Sequence, residues 1–245
     1  MTSNRKLFTP QGLYPVAGKL IKPILLMASV LILVGLYVGF FLAPVDATQG
    51  NSYRILYAHV PCAWMGMLFY VVMAVFCASG IVTGNRLWSM VASSIAPTGA
   101  MMTFLSLWSG SLWGRPTWGT YWVWDARLTS ALILLFFYLG FIALENAIDD
   151  WRRVDKACAV IGIVGVINVP IVYFSVQWWN TLHQGASITA SGSSIHPMML
   201  SAMLLMVFCF LFYGIAVSLA RLRSIILERE KSEQWAQNLS IKGEV

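Results

Sequence analysis

Between Ala157 and Ala220 the chain carries not one Asp, Glu, Lys or Arg. Ordinary soluble domains are about one-quarter charged and keep those charges on their surface, so a soluble fold cannot absorb such a stretch. Nor can a single helix, because a bilayer's hydrocarbon core takes only about 20 residues of helix. The polar segment Asn180–His196 divides the stretch into two spans, Ala157–Gln177 and Pro197–Ala220. The same measure applied upstream gives Ile24–Ala43, Pro61–Val82, Val91–Gly110 and Leu128–Leu144, the last being short and closed by Glu145. The expected fold is an all-α polytopic membrane protein with six transmembrane helices. Composition agrees, with 58% hydrophobic residues, 11% charged and a mean hydropathy of +0.72. Ile24–Ala43 is longer than a signal peptide's apolar region and has no small-residue cleavage site behind it, so it reads as a retained anchor.

The basic residues orient these spans. Arg5, Lys6, Lys19, Lys22, Arg86, Arg152, Arg153, Lys156, Arg221, Arg223, Arg229, Lys231 and Lys242 flank one side, and only Arg54, Arg115 and Arg127 flank the other. The richer side faces the cytoplasm by the positive-inside rule, which predicts cytoplasmic N- and C-termini. The net charge of +6 therefore reports membrane orientation and not nucleic-acid binding. Residues 1–220 form one six-helix unit with outer loops at 111–127 and 178–197, and 221–245 reads as a solvated cytoplasmic tail helix. Cys62, Cys77, Cys158 and Cys209 lie singly in or beside apolar runs and read as core residues. Gly35 and Gly39 form a G-x-x-x-G packing seam. Asn168 and Pro170 predict a kink in the fifth span.

Chemistry collects on the outer side. Of eleven tryptophans, Trp113, Trp118, Trp122 and Trp124 crowd the third loop, and Trp178 and Trp179 follow the fifth span. Trp108 lies just inside the membrane, whereas the inner side has Trp88, Trp151 and Trp235. An aromatic belt explains interfacial indoles in general, but this density suits a platform for a planar apolar ligand. If the loop is helical, Trp118, Trp122 and Asp125 share a face. His59, His183 and His196 are outer as well. His59 opens the second span and His183 follows the Trp178–Trp179 pair; two neutral imidazoles from different elements can ligate both faces of a haem. His196, beyond Gly192-Ser193-Ser194, reads as an ordinary interfacial histidine. Cys62 is three residues from His59, but apolar surroundings disfavour a thiolate ligand. Arg54, Arg115 and Arg127 suit haem propionates or, equally, snorkel to headgroups. Asp125 is a lone carboxylate among indoles, satisfied by Arg127 or by indole N–H groups. Covering about 300 Å² of porphyrin contributes on the order of 7 kcal/mol before binding costs, which fits a holding site better than a permanent one.

The run Trp118-Gly119-Thr120-Tyr121-Trp122-Val123-Trp124-Asp125-Ala126-Arg127 resembles the tryptophan-rich signature of the haem-handling proteins of cytochrome c biogenesis. Six spans, a short chain, Tyr57-Ala58-His59-Val60-Pro61 and Trp178-Trp179-Asn180-Thr181-Leu182-His183-Gln184-Gly185 look like the cytochrome c maturation protein C family, or haem exporter protein C. Tyr121 departs from it, standing where some relatives carry tryptophan, and His196 lies outside the family pattern. The resemblance implies transient binding of haem b (iron protoporphyrin IX) on the periplasmic side of a bacterial inner membrane. Its axial ligands would be His59 and His183, and Trp118, Trp122, Trp124 and Asp125 would contact it. The implied partners are a haem chaperone (cytochrome c maturation protein E), a small membrane protein D and an ABC transporter of components A and B. Delivery is implied, not catalysis; assistance in attaching haem to the chaperone is the one chemical step open to it.

Two other classes compete. A membrane b-type cytochrome sets ligand pairs within the bilayer and needs a route to a second redox centre, which three outer histidines do not offer. A cofactor-free transporter carries polar or ionisable groups at mid-membrane, and these spans hold almost none apart from Asn168.

Overall fold

The computed structural model describes residues 8–185, 187–189 and 192–241. Six helical spans run Pro10–Leu42, Asn51–Thr83, Arg86–Trp118, Ala126–Ala147, Trp151–Trp178 and Pro197–Arg229. Helix α1 (Pro10–Tyr37) ends in a π turn through Leu42, and α2 (Leu56–Thr83) is entered through a 3-10 turn at Asn51–Ile55. Helices α3 (Arg86–Trp118) and α4 (Ala126–Ala147) are continuous. The fifth span is broken into α5 (Trp151–Gly165) and α6 (Asn168–Trp178); α7 (Pro197–Arg229) and the short α8 (Gln234–Ile241) follow. Between α6 and α7 lies an antiparallel hairpin of β1 (Ile188–Thr189) and β2 (Gly192–Ser193), with Ile188 opposite Ser193. The architecture is the expected all-α polytopic one.

The helices outrun the charge-free cores read from the sequence. Lys19, Lys22, Arg86, Arg221 and Arg223 all sit within helical turns. Leaving backbone groups unpaired at the membrane boundary costs more than extending the helix, and long basic side chains reach water from inside it. The ends are set by local chemistry. Asn85, Asp125 and Asp150 accept from the backbone N–H of Leu87, Leu128 and Arg153 at 3.0, 2.8 and 2.8 Å, capping α3, α4 and α5. Gly119, at φ 88°, stops α3 in a left-handed conformation that other residues resist.

Helix α3 runs at the centre, packed along α2 and flanked by α4 and α7. Its Gly99 leaves room for the Tyr138 ring of α4, whose hydroxyl donates to the Gly66 carbonyl of α2 at 2.8 Å. Helix α1 lies against α7, with Gly35 facing the Met206 sulfur and Gly39 facing the Tyr57 ring, so this seam does pack. All four cysteines are free and buried.

The tail does not behave as the solvated helix expected from its charges. Leu222 and Ile226 continue α7 into a buried cluster with Tyr14, Leu87 and Met90, and Trp235 of α8 rests against Tyr14 at 6.2 Å. Charged groups there find partners. Arg229 lies over Trp151 and reaches Asp155 at 2.7 Å and Glu145 at 3.5 Å, and Arg86 reaches the buried Glu230 at 2.8 Å. Pairing removes the reason for these charges to face water. We call this end, which carries both ends of the described chain, the inner end; the opposite end carries His59 and His183.

Candidate functional site

His59 sits one turn into α2, where Gly110 of α3 admits its ring; a Cβ at that glycine would lie 2.8 Å from the imidazole. Nδ1 of His59 donates to the Ser106 carbonyl at 3.0 Å, with the Ser109 hydroxyl at 3.2 Å. A carbonyl can only accept, so the proton is fixed on Nδ1 and the lone pair on Nε2. Trp113 meets the ring edge-on at 5.6 Å and donates from Nε1 to the Gln49 side chain at 2.7 Å.

His183 comes from the segment between α6 and β1. Its Nδ1 donates to the Gln184 carbonyl at 2.9 Å, which again leaves Nε2 as the acceptor. Burial first, then the Arg127 charge, holds its pKa below the ordinary 6.5, so it stays neutral at physiological pH. The two imidazole centres stand 6.3 Å apart with planes inclined at 35°. An imidazole nitrogen bonds a first-row metal at about 2.0 Å, which puts the centres of two rings on one ion roughly 6 Å apart. The spacing therefore matches a shared ion. No group of three or more His, Cys, Asp or Glu side chains converges among the described residues. Two imidazoles fall short of a protein-only zinc site but would suffice for a metal that brings its other ligands with it.

Both rings line a cavity of about 260 Å³ that runs from Ser187, Ile188 and Ile195, the lid segment, down to Met67 and Leu134. Of the other expected site residues, Trp113, Trp118 and Arg127 also line it. Trp118 lies 6.4 Å from His183, and the Arg127 guanidinium donates to the Val172 carbonyl of α6. The rest stand outside. Because α3 stops at Gly119, Trp118, Trp122 and Asp125 do not share a helical face; residues 119–125 form an irregular loop in which Trp122 and Trp124 meet edge-on at 5.4 Å. Trp124 is 76% exposed. Asp125 caps α4 through one oxygen, and its other oxygen, like Nε1 of Trp118 and of Trp122, is buried without a partner. Trp178 and Trp179 are exposed and meet each other, away from the cavity. Arg54 donates to the Gly39 and Phe40 carbonyls at 2.8 and 2.6 Å, closing the end of the first span, and Arg115 donates to Gly119. His196 caps α7, accepting from Met198 N–H at 3.2 Å. Cys62 is buried in the core cluster beneath His59.

Sequence reasoning passed over Gln49, Ser109, Gly110 and the lid. Gly110 and Gly114 form another G-x-x-x-G, a signal that was available: Gly110 faces His59 and Gly114 faces the Trp118 ring. Gln49 carries no such signal, because its partner Trp113 is remote in sequence.

Fold and site together define a multi-pass membrane protein with an apolar, two-imidazole pocket roofed at one end. The family described as "Heme exporter protein C" matches residues 4–237. The heme exporter protein C of Escherichia coli (strain K12) is 46% identical over 238 residues, covering 97% of this chain and 96% of its own. That of Haemophilus influenzae is 43% identical over 232 residues, 94% of each chain. That of Bradyrhizobium diazoefficiens is 47% identical over 209 residues, 84% of this chain and 79% of its own. The chain belongs to the heme exporter protein C family.

Proposed function

We propose that this protein binds haem b transiently in the His59–His183 pocket, on the periplasmic face of a bacterial inner membrane, and delivers it for cytochrome c maturation. The observation that carries this reading is the imidazole pair: 6.3 Å between centres, each ring with its proton engaged on a backbone carbonyl and its Nε2 without a hydrogen bond among the described residues. Porphyrin nitrogens would supply the remaining ligands. At about 260 Å³ the cavity is slightly below the usual small-molecule range of roughly 300–1,000 Å³, so it suits the centre of a large flat ligand whose edge passes the rim. Trp113 and Trp118 wall that centre. Trp122, Trp124 and Asp125 flank the rim, where a projecting edge and a receiving protein would meet. Arg127 is the arginine best placed for a propionate, while Arg54 and Arg115 hold the surrounding backbone.

The receiver is the periplasmic haem chaperone, cytochrome c maturation protein E. The small membrane protein D and the ABC transporter components A and B complete the assembly. Its role is to hold, orient and release, with assistance in attaching haem to the chaperone the one chemical step open to it. The test is the absorption spectrum of the purified protein co-expressed with the chaperone. His59→Ala and His183→Ala each perturb the Soret band and reduce transfer, while His196→Ala, an exposed helix cap, does neither. Normal spectra and transfer in both of the first two variants would falsify the assignment.

A further inference from the structure

The fifth span changes neighbours where it breaks. Below the break, α5 packs closely along α2, and the Tyr70 hydroxyl of α2 donates to the Ile161 carbonyl at 3.1 Å. Above it, α6 touches α2 only lightly and lies on α4 instead. Two hydrogen bonds hold it there: the Asn168 side-chain amide donates to the Ser130 carbonyl at 2.8 Å, and Arg127 donates to the Val172 carbonyl. Among the described residues no hydrogen bond joins α6 to α2. A ring of helices closed on the inner side is thus parted on the outer side, along the seam between α2 and α6.

The cavity reaches that seam. Its wall follows α2 from Leu56 to Met67, about 16 Å of helix at 1.5 Å per residue. Two rings belong both to this wall and to the outer surface: Trp64 of α2, 37% exposed, and Tyr173 of α6, 54% exposed. Both lie more than a helical turn inside His59 and Trp178, within helices long and apolar enough to cross a membrane, so lipid is the solvent their outer faces are built to meet. The walls between them and the histidines are largely apolar, with Val60, Ala63, Ala131 and Val176, and Arg127 lines the same cavity. A ligand dissolved in the bilayer with broad apolar faces would travel this path in largely apolar surroundings until it met the imidazoles and Arg127. A ligand charged over its whole surface would be rejected at the seam by desolvation, whereas one whose carboxylates sit on a single edge keeps its flat faces apolar.

We propose that the seam between α2 and α6, framed by Trp64 and Tyr173, is a lateral portal through which a planar metalloporphyrin with apolar faces enters the pocket directly from the outer half of the bilayer. This rests on the haem-pocket reading above and adds the source of the cargo.

The test uses full-length protein in lipid nanodiscs and two haem donors: haem dissolved in vesicle bilayers, and haem carried by albumin in water. The double variant Trp64→Cys, Tyr173→Cys is joined across the mouth by a bis-maleimide; each single variant, treated with the same reagent, is the control. The native cysteines are all buried. Growth of the bound Soret band gives the loading rate. Cross-linking is expected to slow loading from bilayers by roughly tenfold or more and loading from albumin by less than about twofold. A cross-linked protein that loads from bilayers at the unlinked rate, or one that slows equally with both donors, overturns the portal and leaves the haem pocket standing. Absence of a bound Soret band with either donor in the unlinked protein removes the pocket reading, and the portal with it.

Discussion

The inner and outer ends of this molecule treat their buried polar groups in opposite ways. At the inner end Arg223, Arg229 and Glu230 each keep one side-chain atom idle, yet each is engaged through another: Arg223 with the Tyr14 hydroxyl, Arg229 with Asp155 and Glu230 with Arg86. At the outer end the single polar atoms of Trp118 and Trp122 are buried and idle, and among the described residues the Nε2 atoms of His59 and His183 make no hydrogen bond. Buried donors and acceptors cost stability when unpaired. A protein that leaves whole indole N–H groups unanswered at one end, and engages each of these three charged side chains at the other, separates the part that must stay folded from the part that must receive something.

Four perturbations bear on that division. The largest effect is expected from Gly110→Leu, which drives a side chain into the His59 imidazole. Misplacing a metal-binding ring typically costs about ten- to hundredfold in affinity, so haem titration should show that loss while membrane insertion and stability change little. Next, Arg229→Leu strands Asp155 and Glu145 at the inner end. These carboxylates retain some exposure, 19% and 20%, so the cost is held to about 2 kcal/mol. It should appear as a lower Tm in detergent with an unaltered Soret band. If that band moved, the two ends would be coupled.

Gln49→Leu removes the acceptor of Trp113 without touching either histidine. Leaving one buried donor unpaired costs about 1 kcal/mol, and a haem affinity roughly fivefold weaker is the expected reading. The smallest effect lies in pH. Burial outweighs Arg86 and raises the Glu230 pKa above its ordinary 4.5. A raised folded value means that its contribution to stability is complete below pH 4.5 and is lost as pH climbs through the folded value. Glu230→Gln should therefore gain slightly on wild type in thermal stability near neutrality and lose that advantage in acid. His183 runs the other way. With its folded pKa lowered, its contribution is complete above 6.5 and is lost as pH falls towards the folded value, so haem binding should weaken on acidification at a lower pH than an ordinary imidazole would set.

What could be read from the sequence followed from local rules. Span number and the pairing of His59 with His183 came from apolar lengths, charge bias and residue chemistry. The kink at Asn168 and Pro170 was visible, but the direction in which it sends α6 was not, because that depends on Ser130 and Arg127 of another helix. The tryptophan-rich loop failed as a helix because Gly119 in a left-handed conformation ends α3 there, and a glycine alone does not announce its φ. The tail misled for a related reason. Its charges read as solvated until Asp155, Glu145 and Arg86, distant along the chain, proved to be their partners. Trp178 and Trp179 earned attention by proximity to His183, yet the chain turns between them and the ring and leaves the indoles facing outward.

Both imidazoles rest their protons on main-chain oxygens, those of Ser106 and Gln184. An oxygen of this kind belongs to every amino acid, so no single substitution at either position deletes it. The choice of which nitrogen stays open is therefore inherited from the path of the chain, and it can outlast considerable drift in the side chains around it.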